Sequence, residues 1–178
     1  MTNDAPAPDT KDWTWVVERR CPECGFDASV VPMSGASVLT GRTVDAWREV
    51  LDGAAVDVRP SPLVWSPLEY GCHVRDVYEL FAQRIGLMRT EEDPPFADWD
   101  QDATAIERHY SEADPAEVRE QLTETGRVMV DVLATIGDDE WQRPGHRSNG
   151  SAFTIESLTR YFLHDVVHHL HDAGAPLV

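Results

Sequence analysis

Leu163-His164-Asp165-Val166-Val167-His168-His169-Leu170-His171-Asp172 holds four of the chain's seven histidines within eight positions. Around it, Ile155, Leu158, Phe162, Leu163, Val166, Val167 and Leu170 recur at helical spacing and predict a helix from about Thr154 to Asp172. His164 and His168 stand four apart, which on a helix sets two imidazoles on one face about 5–6 Å apart at Cβ. That separation suits joint ligation of one metal ion. Asp165 and His169 share the spacing. Plotted at 100° per residue, His164 and His168 fall on the far side of the apolar arc, beside Tyr161, whereas Asp165 and His169 fall nearer its edge. Two ligand pairs therefore stay open, next to the plainer reading of a histidine-rich exposed helix end.

Three more helices are legible upstream. Ser66-Pro67-Leu68-Glu69 combines an N-cap, proline at the first helical position and the glutamate of a capping box. The stripe Tyr70, His73, Val77, Leu80, Phe81 and Met88 then carries that helix to about Arg89. His73 lies on its inward face, where a lone histidine is ordinarily a satisfied core residue. Asp114-Pro115-Ala116-Glu117 opens a third helix, whose stripe Val118, Leu122, Met129, Val132 and Ile136 stops at Gly137. Thr40, Val44, Trp47 and Leu51 mark a first helix over about 37–52.

The connections are a proline-bearing segment over 54–65, a long crossover over 90–113 with one short helix near Ile106, and a loop over 138–153. No strand is evident. The pattern predicts an all-α, four-helix bundle in up-down-down-up order, because the long crossover can return along the bundle's side. The second and last helices then run antiparallel, bringing His73 level with the last helix's second half. Residues 1–12 read as disordered. Residues 13–33, with Trp13 and Trp15, read as an extended or short β-like arm, dividing the chain into an arm (1–33) and a bundle (34–178).

Composition narrows the function. The net charge is −17, from 32 acidic and 15 basic residues, and Lys11 is the one lysine. Such a field repels a phosphate backbone, and no basic patch offsets it, which argues against nucleic acid as a partner. No run of about 18 apolar residues is present to span a membrane. The first residues lack the basic and apolar regions of a secretory signal, so the expected location is cytoplasmic.

Three cysteines do not make a disulfide framework in that setting. Cys21-Pro22-Glu23-Cys24-Gly25 is half of a zinc knuckle, and no second C-x-x-C or H-x-x-x-H follows within about 12–20 residues. Cys21 and Cys24 thus admit a structural turn, a second thiol or metal site, or a redox switch.

Trp65-Ser66-Pro67-Leu68-Glu69-Tyr70-Gly71-Cys72-His73-Val74-Arg75-Asp76, followed near the C-terminus by His164-x-x-x-His168, resembles the DinB/YfiT-like superfamily over about residues 37–175. The resemblance implies a four-helix bundle in which His73, His164 and His168 hold a divalent metal, zinc or nickel. It also implies relatives that act as transferases and isomerases with low-molecular-weight thiols such as mycothiol, and others that act as hydrolases.

Three imidazoles leave a coordination position open, as a catalytic site requires. The resemblance makes the expected function a metal-dependent thiol S-transferase acting on a small electrophile, with a low-molecular-weight thiol as cosubstrate. Tyr70, Asp76 and Tyr161 are the candidates for orienting ligands or moving protons. The alternatives are a metal-dependent hydrolase and a non-catalytic metal-binding or stress protein whose fourth position is filled by His169 or Asp76. The expected partner is a small molecule, and an exposed apolar helix face makes a homodimer a candidate.

Overall fold

The computed structural model describes residue 6 and residues 11–178. The expectation of disorder over residues 1–12 falls mostly outside them. Five α-helices are formed among the described residues: α1 (Ala36–Leu51), α2 (Pro67–Thr90), α3 (Gln101–Glu107), α4 (Pro115–Ala134) and α5 (Ile155–Asp172). Four of them build the bundle, and the short α3 lies within the crossover.

Helix starts follow the local chemistry. Ser66 Oγ accepts from the Glu69 amide at 3.2 Å while Glu69 Oε2 accepts from the Ser66 amide at 2.8 Å, closing the capping box of α2. Asp114 Oδ1 accepts from the amides of Ala116 and Glu117 to start α4. Thr154 and Ser157 form a reciprocal cap on α5.

Side-chain pairs fix the helix directions. Arg75 reaches Gln121 and Arg89 reaches Thr135, so α2 and α4 run parallel. Ser37 meets the Val130 carbonyl and Arg119 meets Asp52, so α1 runs against α4. His73 packs on His169 and Phe81 on Tyr161, so α2 runs against α5. The order is up-down-down-up. Val44, Trp47, Tyr78, Phe81, Leu122, Met129, Phe162 and Val166 fill the core.

Two expectations are corrected. First, the arm is not extended. It forms 3-10 turns at Thr14–Val17 and Ala28–Val30, packed along α5, and at Met33–Gly35, which leads into α1. Among the described residues no strand pairs with it, and its backbone groups turn to local hydrogen bonds and to the Arg160 guanidinium, which donates to the carbonyls of Ala28 and Ser29. Second, a small sheet exists. β1 (Pro95–Phe96) pairs parallel with β2 (Pro144–Arg147), which pairs antiparallel with β3 (Ala152–Thr154). Strands of two to four residues are too short to show alternation, and their pairing joins distant segments. The sheet fastens the crossover beside the start of α5. No helix of the described residues is long and apolar enough to cross a membrane.

Candidate functional site: two ligand clusters on one helix

The second half of α5 serves two separate groups of metal-ligating side chains. One contains His73, Asp165 and His169. The other contains Cys21, Cys24, His164 and His168. Within each, one donor atom per residue lies within 4.8 Å of all the others. His73, His164 and His168, assigned together from the family resemblance, are therefore not brought to one point. His73 joins the competing pair Asp165 and His169. The reason is helical geometry: a one-residue offset rotates a side chain by about 100°, and the 165/169 face is the one turned toward α2.

The first cluster is built across the α2–α5 contact. His73, in the second turn of α2, is fully buried, and its Nε2 lies 3.2 Å from Asp165 Oδ1. His169 Nε2 lies 3.8 Å from the same oxygen. His73 Nδ1 has no hydrogen-bond partner among the described residues. Burial pushes the His73 pKa down, against the pull of Asp165. Burial alone would raise the Asp165 carboxyl, but the imidazoles, His73 foremost, hold it at about 2. A neutral imidazole and an ionised carboxylate are the states that bind metal.

Neighbours hold these groups in place. His169 donates from Nδ1 to Asp172 Oδ2 at 2.8 Å, which leaves Nε2 facing the cluster. Tyr70 stacks on the His169 ring with centroids 5.1 Å apart. Trp99 lies nearly parallel over His73 at 5.2 Å, its indole held by a 2.8 Å hydrogen bond to Thr104 on α3. The crossover thus lays an aromatic wall over the buried histidine.

Asp165 and His169 also line an open cavity of about 710 Å³, enclosed by the arm, the crossover, the β2–β3 hairpin and α5. Its wall carries Asp98, Asp100, Lys11 and Arg147. Arg147 lies over the rings of Tyr161 and Phe153 at 4.8 and 5.1 Å. Tyr161 lines the same cavity. Asp76 does not. Its carboxylate takes Arg75 Nε at 2.8 Å, Arg108 Nη1 at 2.9 Å and the Tyr110 hydroxyl, so it braces the α2 side of the bundle and is not available as a fourth ligand or proton carrier.

The second cluster joins the arm to α5. Gly25 takes φ +78°, its amide donates to the Cys21 carbonyl at 2.9 Å, and the Cys21 amide donates to the Phe26 carbonyl at 2.8 Å. Glycine tolerates that left-handed φ without strain. This tight turn directs both sulfurs at α5. Cys21 Sγ lies 3.8 Å from His168 Nδ1 and Cys24 Sγ lies 3.9 Å from His164 Nε2. All four residues are buried.

Burial pushes the Cys24 thiol up to about 11, opposed by the Phe26 amide that points at the sulfur. Burial, then His168, pushes His164 down to about 4. Trp13 covers the pair, 5.3 Å from the His164 ring and 4.9 Å from the His168 ring. Contacts of 3.8–3.9 Å between thiol and imidazole are weak hydrogen bonds, and a poorly satisfied buried polar group costs about 1–3 kcal/mol.

Sequence reasoning identified every ligand-type residue of both clusters but joined them differently. It also missed Trp13, Arg147 and Asp172. Asp172 stands three residues beyond His169, a spacing at which a carboxylate reaches the imidazole on a helix, so that signal was present. Nothing local marked Trp13 or Arg147.

Residues 38–173 match the sequence profile described as the DinB superfamily. Among solved structures, the chain is similar to YfiT from Bacillus subtilis, described as a probable metal-dependent hydrolase with an unusual four-helix bundle topology. The identity there is 22%, the TM-score 0.61, and the match covers 80% of each chain. It is also similar to a mycothiol-dependent maleylpyruvate isomerase, with 13% identity and a TM-score of 0.65, over 85% of this chain and 64% of the isomerase. At these identities the two structures speak for the fold alone, and the chain spans under two thirds of the isomerase. No curated protein matches the sequence. With the matched profile spanning three quarters of its length, in a bundle of this order, the chain belongs to the DinB superfamily.

Proposed function

We propose that the protein is a metal-dependent enzyme that transfers a low-molecular-weight thiol onto a small electrophile, with His73, Asp165 and His169 as the metal ligands. The observation that carries this reading is the convergence of His73 Nε2, Asp165 Oδ1 and His169 Nε2 beside an open 710 Å³ cavity. Two imidazoles and one carboxylate form the donor set of many catalytic zinc and non-haem metal sites, and three protein ligands leave room for substrate. When bound there, a divalent ion supplies Lewis-acid activation that favours the deprotonated form of a thiol or water brought beside it. The described similarity to a mycothiol-dependent enzyme supports a thiol as cosubstrate.

The chain's own groups do the rest. Asp172 orients His169 and fixes which nitrogen faces the cluster. Trp99 and Tyr70 restrict the rings of His73 and His169 and keep bulk water from that side. Arg147, on the cavity wall, presents a cation to an acidic group of the incoming substrate or thiol. Tyr161, on the same wall, supplies a hydroxyl within the cavity. Hydrolysis is the second reading, favoured by the polar, acid-rich cavity wall and by the description of YfiT. A non-catalytic metal protein is disfavoured, because Asp76 is engaged elsewhere and a cavity adjoins Asp165 and His169.

The test is a screen of the purified full-length chain for consumption of low-molecular-weight thiols in the presence of small electrophiles, and of esters and amides, with and without zinc or nickel. Thiol consumption that needs metal and disappears in His73→Ala supports the transferase. Hydrolysis with the same dependence supports the second reading. Turnover that is equal in wild type and His73→Ala overturns the assignment of the site.

A further inference from the structure

The geometry points to a second metal site in this chain: Cys21, Cys24, His164 and His168 together hold one tetrahedral divalent ion of zinc type, which clamps the N-terminal arm to α5. This goes beyond the proposed activity and does not rest on it, since the two clusters share no ligand.

Three observations carry it. First, the donor set is complete. Two sulfurs and two imidazole nitrogens lie within 4.8 Å of one another, and all four residues are buried. With zinc–sulfur near 2.3 Å and zinc–nitrogen near 2.0–2.1 Å, a tetrahedral site sets sulfur and nitrogen about 3.6 Å apart. The observed 3.8 and 3.9 Å differ from that by a few tenths of an ångström.

Second, both halves are shaped for the purpose. The Cys21–Cys24 turn is closed by two backbone hydrogen bonds and the left-handed Gly25, and His164 and His168 present adjacent rings from successive turns of α5, 5.0 Å apart. The knuckle's missing second half is thus supplied about 140 residues downstream.

Third, the donor set is that of a structural site, with four protein ligands and carboxylate support, although His164 and His168 also border the 710 Å³ cavity. His168 uses Nδ1 toward Cys21 and turns Nε2 toward Asp172 at 3.6 Å and Glu23 at 4.0 Å, the carboxylate backing that ligating histidines commonly have. Trp13 packs on both rings. Four protein ligands leave no position for substrate, which separates this cluster from the one beside it. Ligation displaces the two thiol protons to solvent. The consequence is architectural: Lys11 to Thr14, just before the cysteine turn, form one wall of the 710 Å³ cavity, so the ion fixes a wall of the neighbouring site.

Cobalt(II) loaded into the full-length protein reads this site selectively, because only thiolate ligands give sulfur-to-cobalt charge-transfer absorption. The band is expected in wild type and in His73→Ala, and is expected to vanish in Cys21→Ser/Cys24→Ser. Zinc analysis is expected to give one equivalent fewer in that double variant than in wild type, whether or not the His73 cluster binds metal. Absence of the band in cobalt-loaded wild type, its survival in the double variant, or a Cys21–Cys24 disulfide in metal-replete wild type overturns the proposal.

Should the double variant fail to fold, thiol titration of the wild type decides. Two of the three cysteines are expected to react with a disulfide reagent at least tenfold faster after chelation than before. Equal rates overturn the proposal.

Discussion

His168 and His169 are neighbours in the chain, yet His168 turns its Nδ1 to within 3.8 Å of Cys21 Sγ while His169 turns its Nε2 to within 3.8 Å of Asp165 Oδ1. The step of about 100° between consecutive helical residues makes α5 the shared wall of two clusters. One helical turn later Asp172 lies behind both rings, 2.8 Å from His169 Nδ1 and 3.6 Å from His168 Nε2.

Removing that carboxylate's charge is therefore expected to weaken metal retention without unfolding the bundle. Asp172→Asn is expected to lower affinity at the His73–Asp165–His169 cluster by about 10–100-fold, the usual cost of losing such a supporting group. Competition against a chelator of known strength measures it. Unchanged affinity would show that Asp172 does not orient His169.

Asp165→Asn keeps the side chain's shape and removes its charge. Metal-dependent turnover is expected to fall by at least about 100-fold, equivalent to roughly 2.7 kcal/mol of barrier, while thiolate–cobalt absorption persists. Loss of both signals together would mean that the two clusters do not act independently.

Arg147 stands on the cavity wall, its guanidinium 4.8 Å from the Tyr161 ring centroid. If it receives an acidic group of substrate or thiol, Arg147→Gln should raise KM by about tenfold, near 1.4 kcal/mol of binding, with kcat little changed. A fall in kcat at constant KM would instead place Arg147 in the chemical step.

Acid stability has a specific contributor in Glu69. Burial would raise its pKa, but hydrogen bonds from Arg59 and the Ser66 amide outweigh it and hold the carboxyl below the ordinary 4.5. A depressed carboxylate stabilises the fold above the unfolded value and loses that contribution as pH falls from about 4.5 through the folded value. Glu69→Gln is expected to cost about 1–3 kcal/mol at pH 7 and to flatten the stability profile in that acid window. Urea unfolding at pH 7 and pH 3 provides the check, and an equal loss at both would refute the ionic origin.

Gly126 sets how closely α4 approaches α1 and α2. A Cβ there would lie 2.4 Å from Val44 Cγ2 and 3.3 Å from the Tyr78 ring. Alanine gains about 1 kcal/mol in helix propensity over glycine, but Val44 and Tyr78 are buried and confined. Gly126→Ala is expected to destabilise by about 1–3 kcal/mol, read as a lower urea midpoint. A higher midpoint would show that the helices have slack there.

Much of the fold was written locally. Ser66, Asp114 and Thr154 cap their helices through neighbours two or three residues away, and the stripes through Val44, Trp47, Val77, Phe81, Leu122 and Phe162 are bundle faces because helical periodicity is a property of consecutive residues. The strands and the turns of the arm were not legible, since each depends on what a distant segment offers its backbone.

The candidate site divides in the same way. The sequence by itself determined the inventory: four-residue spacing puts His164 with His168 and Asp165 with His169, and the cysteine turn puts Cys21 with Cys24. It also determined that His73 faces inward. Only the tertiary structure decided the partners, turning the 165/169 face to His73 and the 164/168 face to the cysteines. The physical reason is that spacing fixes which side chains share a helix face, whereas the contacts among α2, α5 and the arm, set by packing across some 90 and 140 residues of chain, fix what each face meets.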